Sequence, residues 1–118
     1  MKLLTKTLEN TLFKNGAINA RHMANNGNTE DFKPVVKFFN PSGGATWLFS
    51  ELDADKDTLF GLCDLGHGSP EIGNASLSTF KVTTLPLGLK IERDRWFKAD
   101  KTLTEYANAA QRDGYINA

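Results

Sequence analysis

Residues 34–65 read PVVKFFNPSGGATWLFSELDADKDTLFGLCDL, and the spacing within this stretch decides the fold. Apolar side chains recur with a period of two in Val35–Phe39, Ala45–Leu52 and Thr58–Leu65, the pattern of half-buried strands. Between them, Asn40–Gly44 and Asp53–Asp57 carry the Gly, Pro, Asn and Asp residues of turns. Links this short join antiparallel neighbours, because parallel strands need crossovers of about a dozen residues or more. In the second strand, alternation sets Trp47 and Phe49 on one face and Leu48 and Leu52 on the other.

On the N-terminal side, Leu4, Leu8 and Leu12 recur every fourth residue, with Phe13 beside them, which predicts an amphipathic helix ending at Asn15-Gly16. Ala20–Ala24 reads as a short helical turn before an Asn-rich loop. On the C-terminal side, GHGSPEIGN reads as a glycine-rich turn, ASLSTF (75–80) as a strand or a helix start, and TTLPLGL as a loop. LKIERDRWF (Leu89–Phe97) predicts the last strand. The closing helix has Asp100 or Thr102 as N-cap, Leu103, Tyr106, Ala107 and Ala110 on one face, and Gly114 as its stop. Helix, consecutive strands, helix is an α+β order. It predicts a single domain over 1–118, with an antiparallel sheet of about four to five strands and both terminal helices packed on it.

Fourteen basic residues balance fourteen acidic ones, so no overall field draws the chain to nucleic acid or membrane. One cysteine forms no internal disulfide, which favours a reducing compartment. Lys6, Glu9 and Asn10 interrupt the opening residues too early for a secretory signal. No stretch reaches the roughly 20 apolar residues of a membrane span. A cytoplasmic protein with no membrane partner is expected.

FGLCDLGHGSPEIG (Phe60–Gly73) collects the residue types of a reactive site. A Cys63 nucleophile needs an imidazole within hydrogen-bond reach, and His67 stands four residues on. Alternation, however, sets Cys63 with Gly61 and Leu65 on one strand face, where cysteine acts as a small hydrophobe. No catalytic residue is therefore assigned. Cys63, His22 and His67 are too few for a structural zinc, which takes four such ligands. Asp53, Asp55, Asp57 and Asp64 fall at the ligand positions of an EF-hand loop, but Thr58 replaces its sixth-position glycine and strands replace its helices. GHG is followed by Ser69-Pro70-Glu71 rather than by a phosphate-binding lysine. No metal or other cofactor is expected.

Charge is nonetheless segregated. Glu51, Asp53, Asp55, Asp57, Asp64 and Glu71 face only Lys56 in their stretch, whereas Lys81, Lys90, Arg93, Arg95, Lys98 and Lys101 make 81–101 basic. Bases interleaved with aromatics can hold single-stranded nucleic acid, although Glu92 and Asp94 would oppose a phosphate backbone. Pairing of Arg93 or Arg95 with Glu51 or Asp64 across strands is the plainer expectation. Trp47 and Phe49 belong to the core. Trp96 shares its strand face with Glu92 and Asp94, so it is a candidate hot spot for a protein partner.

The blocks MKLLTKTLENTLFKNG, PVVKFFNP, ATWLFSELD, FGLCDLGHGSPEIG, SLSTF, LPLGLKIERDRWF and a closing K-x-L-x-x-Y-A, in this order, resemble the domain-of-unknown-function family 2958 over nearly the whole chain. His67 departs from the residue common in that family, which argues against histidine chemistry. The resemblance carries over no activity, cofactor or catalytic residue. It implies a small protein of bacteria, plasmids or phages, encoded near antirestriction and conjugation genes. The expectation is a non-catalytic protein-binding module of a mobile genetic element, including counter-defence of the anti-restriction or anti-CRISPR type. Its binding residues would be Asp53, Asp55, Asp57, Asp64, Glu71, Arg93, Arg95 and Trp96. The alternatives are a small enzyme using Cys63 with His67 or carboxylates around Glu51 and Asp64, and a nucleic-acid binder using Arg93, Arg95 and Lys98.

Overall fold

The predicted strands pair as one antiparallel sheet in the computed structural model, which describes residues 2–118. Strands β1 (Val36–Phe39), β2 (Thr46–Leu52), β3 (Thr58–Asp64) and β4 (Glu71–Ser76) form a meander, and β5 (Glu92–Arg93) returns to the free side of β1. The spatial order is β4-β3-β2-β1-β5. Helices α1 (Lys6–Ala24) and α3 (Leu103–Asp113) cover opposite faces, and a short α2 (Leu77–Val82) shares the α1 face. The architecture is α+β.

Two cores flank the sheet. Leu4 and Leu12 of the N-terminal segment meet Val36, Phe38, Trp47, Phe49 and Leu59 on one side. Phe80 of α2 enters this core edge-on, with its ring centroid 4.9 Å from Trp47 and 5.5 Å from Phe38. Tilted aromatic contacts of this kind add about 0.5–1.5 kcal/mol beyond the area they bury. On the other side, Leu48 and Leu62 pack against Leu103, Tyr106, Ala107 and Ala110, the stripe that the helical spacing of α3 predicts. Thr102 caps α3 through a capping box with Glu105, and Gly114 ends the helix in the left-handed conformation.

Four local readings change. First, α1 does not stop at Asn15-Gly16 but continues to Ala24, absorbing the turn expected at Ala20–Ala24. Gly16 serves close approach instead: a Cβ there would strike the Leu52 carbonyl. Second, Leu52 joins Trp47 and Phe49 rather than Leu48. The register runs Phe49↔Gly61 and then Glu51↔Phe60, so Ser50 is an extra, bulged residue that shifts the alternation beyond it. Gly61 fits opposite this bulge because any Cβ would run into the Leu48 carbonyl and Phe49 backbone. Third, a strand begins inside the glycine-rich stretch at Glu71, and 75–80 supplies both the end of β4 and the start of α2. Fourth, the strand read over Leu89–Phe97 shrinks to Glu92–Arg93. Its neighbour β1 is only four residues long, and Asp94 Oδ1 accepts the Trp96 N–H at 2.9 Å, turning the chain out of the sheet.

Candidate functional site

The acids of the β2–β3 turn are committed to the fold. Asp55 accepts the backbone N–H groups of Asp57 and Thr58 and the Thr58 hydroxyl. Those bonds, the Thr58 hydroxyl first, hold its carboxyl below the usual carboxylate range. Asp57 ties this turn to α2: its Oδ1 accepts the Ser78 N–H and its Oδ2 the Ser76 hydroxyl, each at 2.8 Å. Its carboxyl is likewise held low, chiefly by the Ser78 N–H. Asp53 accepts from Ala54 N–H beside it. Among the described residues, no three His, Cys, Asp or Glu side chains converge as a metal site would require.

Asp64 has a different task. It is 3 % exposed, and it accepts the Gly66 N–H on one oxygen and the Ile116 N–H on the other. The C-terminal segment is thereby fastened to the end of β3. Glu71 stands exposed on β4 opposite Cys63. Cys63 packs half-buried against the aromatic core, and burial pushes its thiol pKa up, so the thiolate is scarce at neutral pH. His67 is exposed in the β3–β4 turn.

The two arginines differ in what holds them. The Arg93 guanidinium donates to the carbonyls of Lys2 and Leu3, at 3.2 and 2.8 Å, and so fastens the N-terminal segment. The expected pairing with Glu51 or Asp64 does not form, because β5 lies at one edge of the sheet and β1 separates it from β2 and β3. Arg93, Arg95 and Trp96 all border an open hollow of about 670 Å3 between the β1–β2 turn, β5 and the chain after it. Trp96 is 89 % exposed. Its backbone is nevertheless fixed: Asp94 accepts its N–H, Asp94 N–H donates to the Lys37 carbonyl at 2.9 Å, and the Asp94 carboxylate pairs with the Lys37 ammonium at 3.8 Å.

A second hollow, about 640 Å3, was not legible as a site. It lies between the C-terminal half of α1, the loop 29–32, the start of α3 and the strands β2–β4. Asn19, buried on α1, donates to Glu51 Oε2 at 2.8 Å and to the Glu30 carbonyl at 3.0 Å, and accepts the Glu30 N–H at 2.7 Å. Burial pushes the Glu51 carboxyl up; the Asn19 hydrogen bond opposes this and the Asp53 charge adds to it. Ser50, 0 % exposed, gives its carbonyl to Asn15 Nδ2, while its hydroxyl has no partner among the described residues. Asp31 caps α3 by accepting the Thr104 N–H at 3.1 Å. Burial works to raise its pKa, but the hydrogen bonds from Thr102 and Thr104 together hold it low. One signal in the sequence could have found it. The stripe Leu4, Leu8, Leu12 continues at fourfold spacing into the small Gly16 and Ala20, with polar Asn19 on the same side, where an apolar core helix would carry larger apolar residues.

Residues 3–117 match the family model described as Protein of unknown function (DUF2958), so the chain belongs to that family. Comparison with curated proteins and with solved structures returns no match. No helix of the described residues is long and apolar enough to cross a membrane.

Proposed function

We propose that this member of the DUF2958 family is a non-catalytic binding module that recognises a protein partner through Arg95 and Trp96. The observation that carries the reading is a tryptophan 89 % exposed on a backbone fixed by Asp94 and Lys37. Tryptophan and arginine supply most interface hot spots, and an anchor already held in place loses little freedom on binding. The hollow beside Trp96 gives a partner side chain somewhere to seat.

The setting we propose is a mobile genetic element acting in the cytoplasm of its host, with counter-defence as the process. It rests on the family resemblance, whose members are encoded on plasmids and phages near antirestriction genes. The enzymatic alternative is weakened by the raised thiol of Cys63. Nucleic-acid binding is weakened because Arg93 is occupied by backbone carbonyls and Asp94 flanks the ridge.

The test is capture from a host lysate with the wild-type chain and with Trp96→Ala, followed by an isotherm against the purified captured protein. An exposed side chain contributes within about 0.5 kcal/mol to stability, so Trp96→Ala folds as the wild type does. The expected result is one specific partner, bound at least about tenfold more weakly by the variant. Undiminished binding by Trp96→Ala, or no specific partner, overturns the reading.

A further inference from the structure

The hollow around Glu51 is lined by four carboxylates, Glu30, Asp31, Glu51 and Asp53, and by no lysine, arginine or histidine. Asp31 is engaged in capping α3. Glu51 is the one set into the wall, with Asn19 as its neutral partner and no cation paired with it among the described residues. A carboxylate removed from water in this way is costly to keep charged, and an arriving cation would gain more from it than from an exposed acid. Beside it, Ser50 lines the same hollow, and its hydroxyl is buried with no hydrogen-bond partner among the described residues.

The remaining walls are apolar. Phe60 and Leu103 line the interior, and Met23 and Ile72 stand exposed at its rim. A volume of about 640 Å3 falls within the range of roughly 300–1,000 Å3 that small-molecule sites occupy. An inorganic cation needs several converging oxygens, which the described residues do not provide. One half-buried carboxylate and an apolar wall suit an organic cation instead.

We propose that this cleft binds a small organic monocation, a protonated amine carried on an apolar body. The ammonium bonds to the Glu51 carboxylate, and the body packs on Phe60 and Ile72. This site is separate from the Trp96 ridge and stands without the reading given to that ridge.

The full chain, labelled with 15N, is titrated with phenethylamine and with the neutral, similarly shaped 2-phenylethanol. Phenethylamine is expected to shift the Asn19 side-chain amide and the Ile72 backbone amide saturably. The alcohol should bind at least about tenfold more weakly, the factor that one charge-assisted hydrogen bond supplies. Glu51→Gln, which keeps an acceptor for Asn19, should lower the amine to the level of the alcohol. Ile72→Ser, on the exposed rim, should weaken both ligands while leaving the amine preferred. Trp96→Ala should change neither. Equal binding of amine and alcohol overturns the proposal, as does an amine preference that survives Glu51→Gln or the absence of saturable shifts in the wild type.

Discussion

Gly16 of α1 lies directly against the backbone carbonyl of Leu52, the last residue of β2. β1 pairs with β2 only as far as Val36↔Phe49, so the end of β2 beyond the Ser50 bulge keeps β3 on one side but has no strand on its β1 side, and α1 closes on it there. In a free helix, Gly16→Ala would gain about 1 kcal/mol of helix propensity. Here the added methyl meets strand backbone that cannot swing aside, and overpacking of this kind costs about 1–3 kcal/mol. We expect the collision to win, with a net loss of about 1–2 kcal/mol in urea unfolding. A more stable variant would show that α1 can lift from β2 at little cost.

Asp64→Ala removes the acceptor of two N–H groups, Gly66 and Ile116, at a buried position. A loss of about 2–4 kcal/mol is expected, since each stranded donor costs on the order of 1–3 kcal/mol. Hydrogen exchange distinguishes this from a general loosening: the Ile116 amide should lose protection before the amides of β2 and β3. Unchanged protection at Ile116 would remove Asp64 from the role of C-terminal fastener.

Glu51 has a carboxyl pKa raised in the folded chain by burial, which Asp53 reinforces. The folded protein therefore binds a proton more tightly than the unfolded one, and ionised Glu51 subtracts stability above its folded pKa. The subtraction fades as pH falls through the folded pKa to the unfolded value near 4.5. Glu51→Gln should thus gain on the wild type at pH 7, and the gain should disappear by about pH 3.5. Paired denaturation curves at the two pH values measure it; a gain that grows toward acid would contradict the burial of this carboxyl.

Asp57 gives the opposite sign. Its carboxyl is held low by the Ser78 N–H and the Ser76 hydroxyl, so its contribution is present above the unfolded pKa and lost as pH falls through the lower, folded one. Asp57→Asn should lower the thermal midpoint at pH 7, with the deficit closing below about pH 4. Because the two bonds hold the start of α2, the amides of Leu77–Val82 should exchange faster in this variant than those of α3. A deficit independent of pH would mean that the charge of Asp57 contributes nothing.

Much of the fold could be read from periodicity. Three strands with two turns, the face of α3, its Thr102 cap and its Gly114 stop all follow from local spacing, and the structure has them there. What local spacing missed depends on contacts between segments distant in the chain. Asn15-Gly16 has the residues of a helix stop, yet the helix continues because its glycine is used for contact with Leu52. LKIERDRWF alternates well enough for a long strand, but a strand extends only as far as its neighbour, and β1 ends after four residues. The acids were legible as a cluster but not in their roles: Asp55 and Asp57 order a turn and a helix start, Asp64 fastens Ile116, and Glu51 and Asp53 line an open hollow.

By itself, then, the sequence determined the class of the fold, the antiparallel order of the meander and the family. These rest on short-range periodicity, turn chemistry and a run of blocks that no rearrangement in space alters. Only the tertiary structure decided that the terminal helices take opposite faces, that one bulged residue moves Leu52 to the other core, and that Glu51 pairs with the buried Asn19 of α1. The physical reason is that burial and hydrogen bonding belong to a residue's neighbours in space. For Glu51 that neighbour is Asn19, itself held by Glu30, both from far along the chain, whose spacing from it carries no local signal.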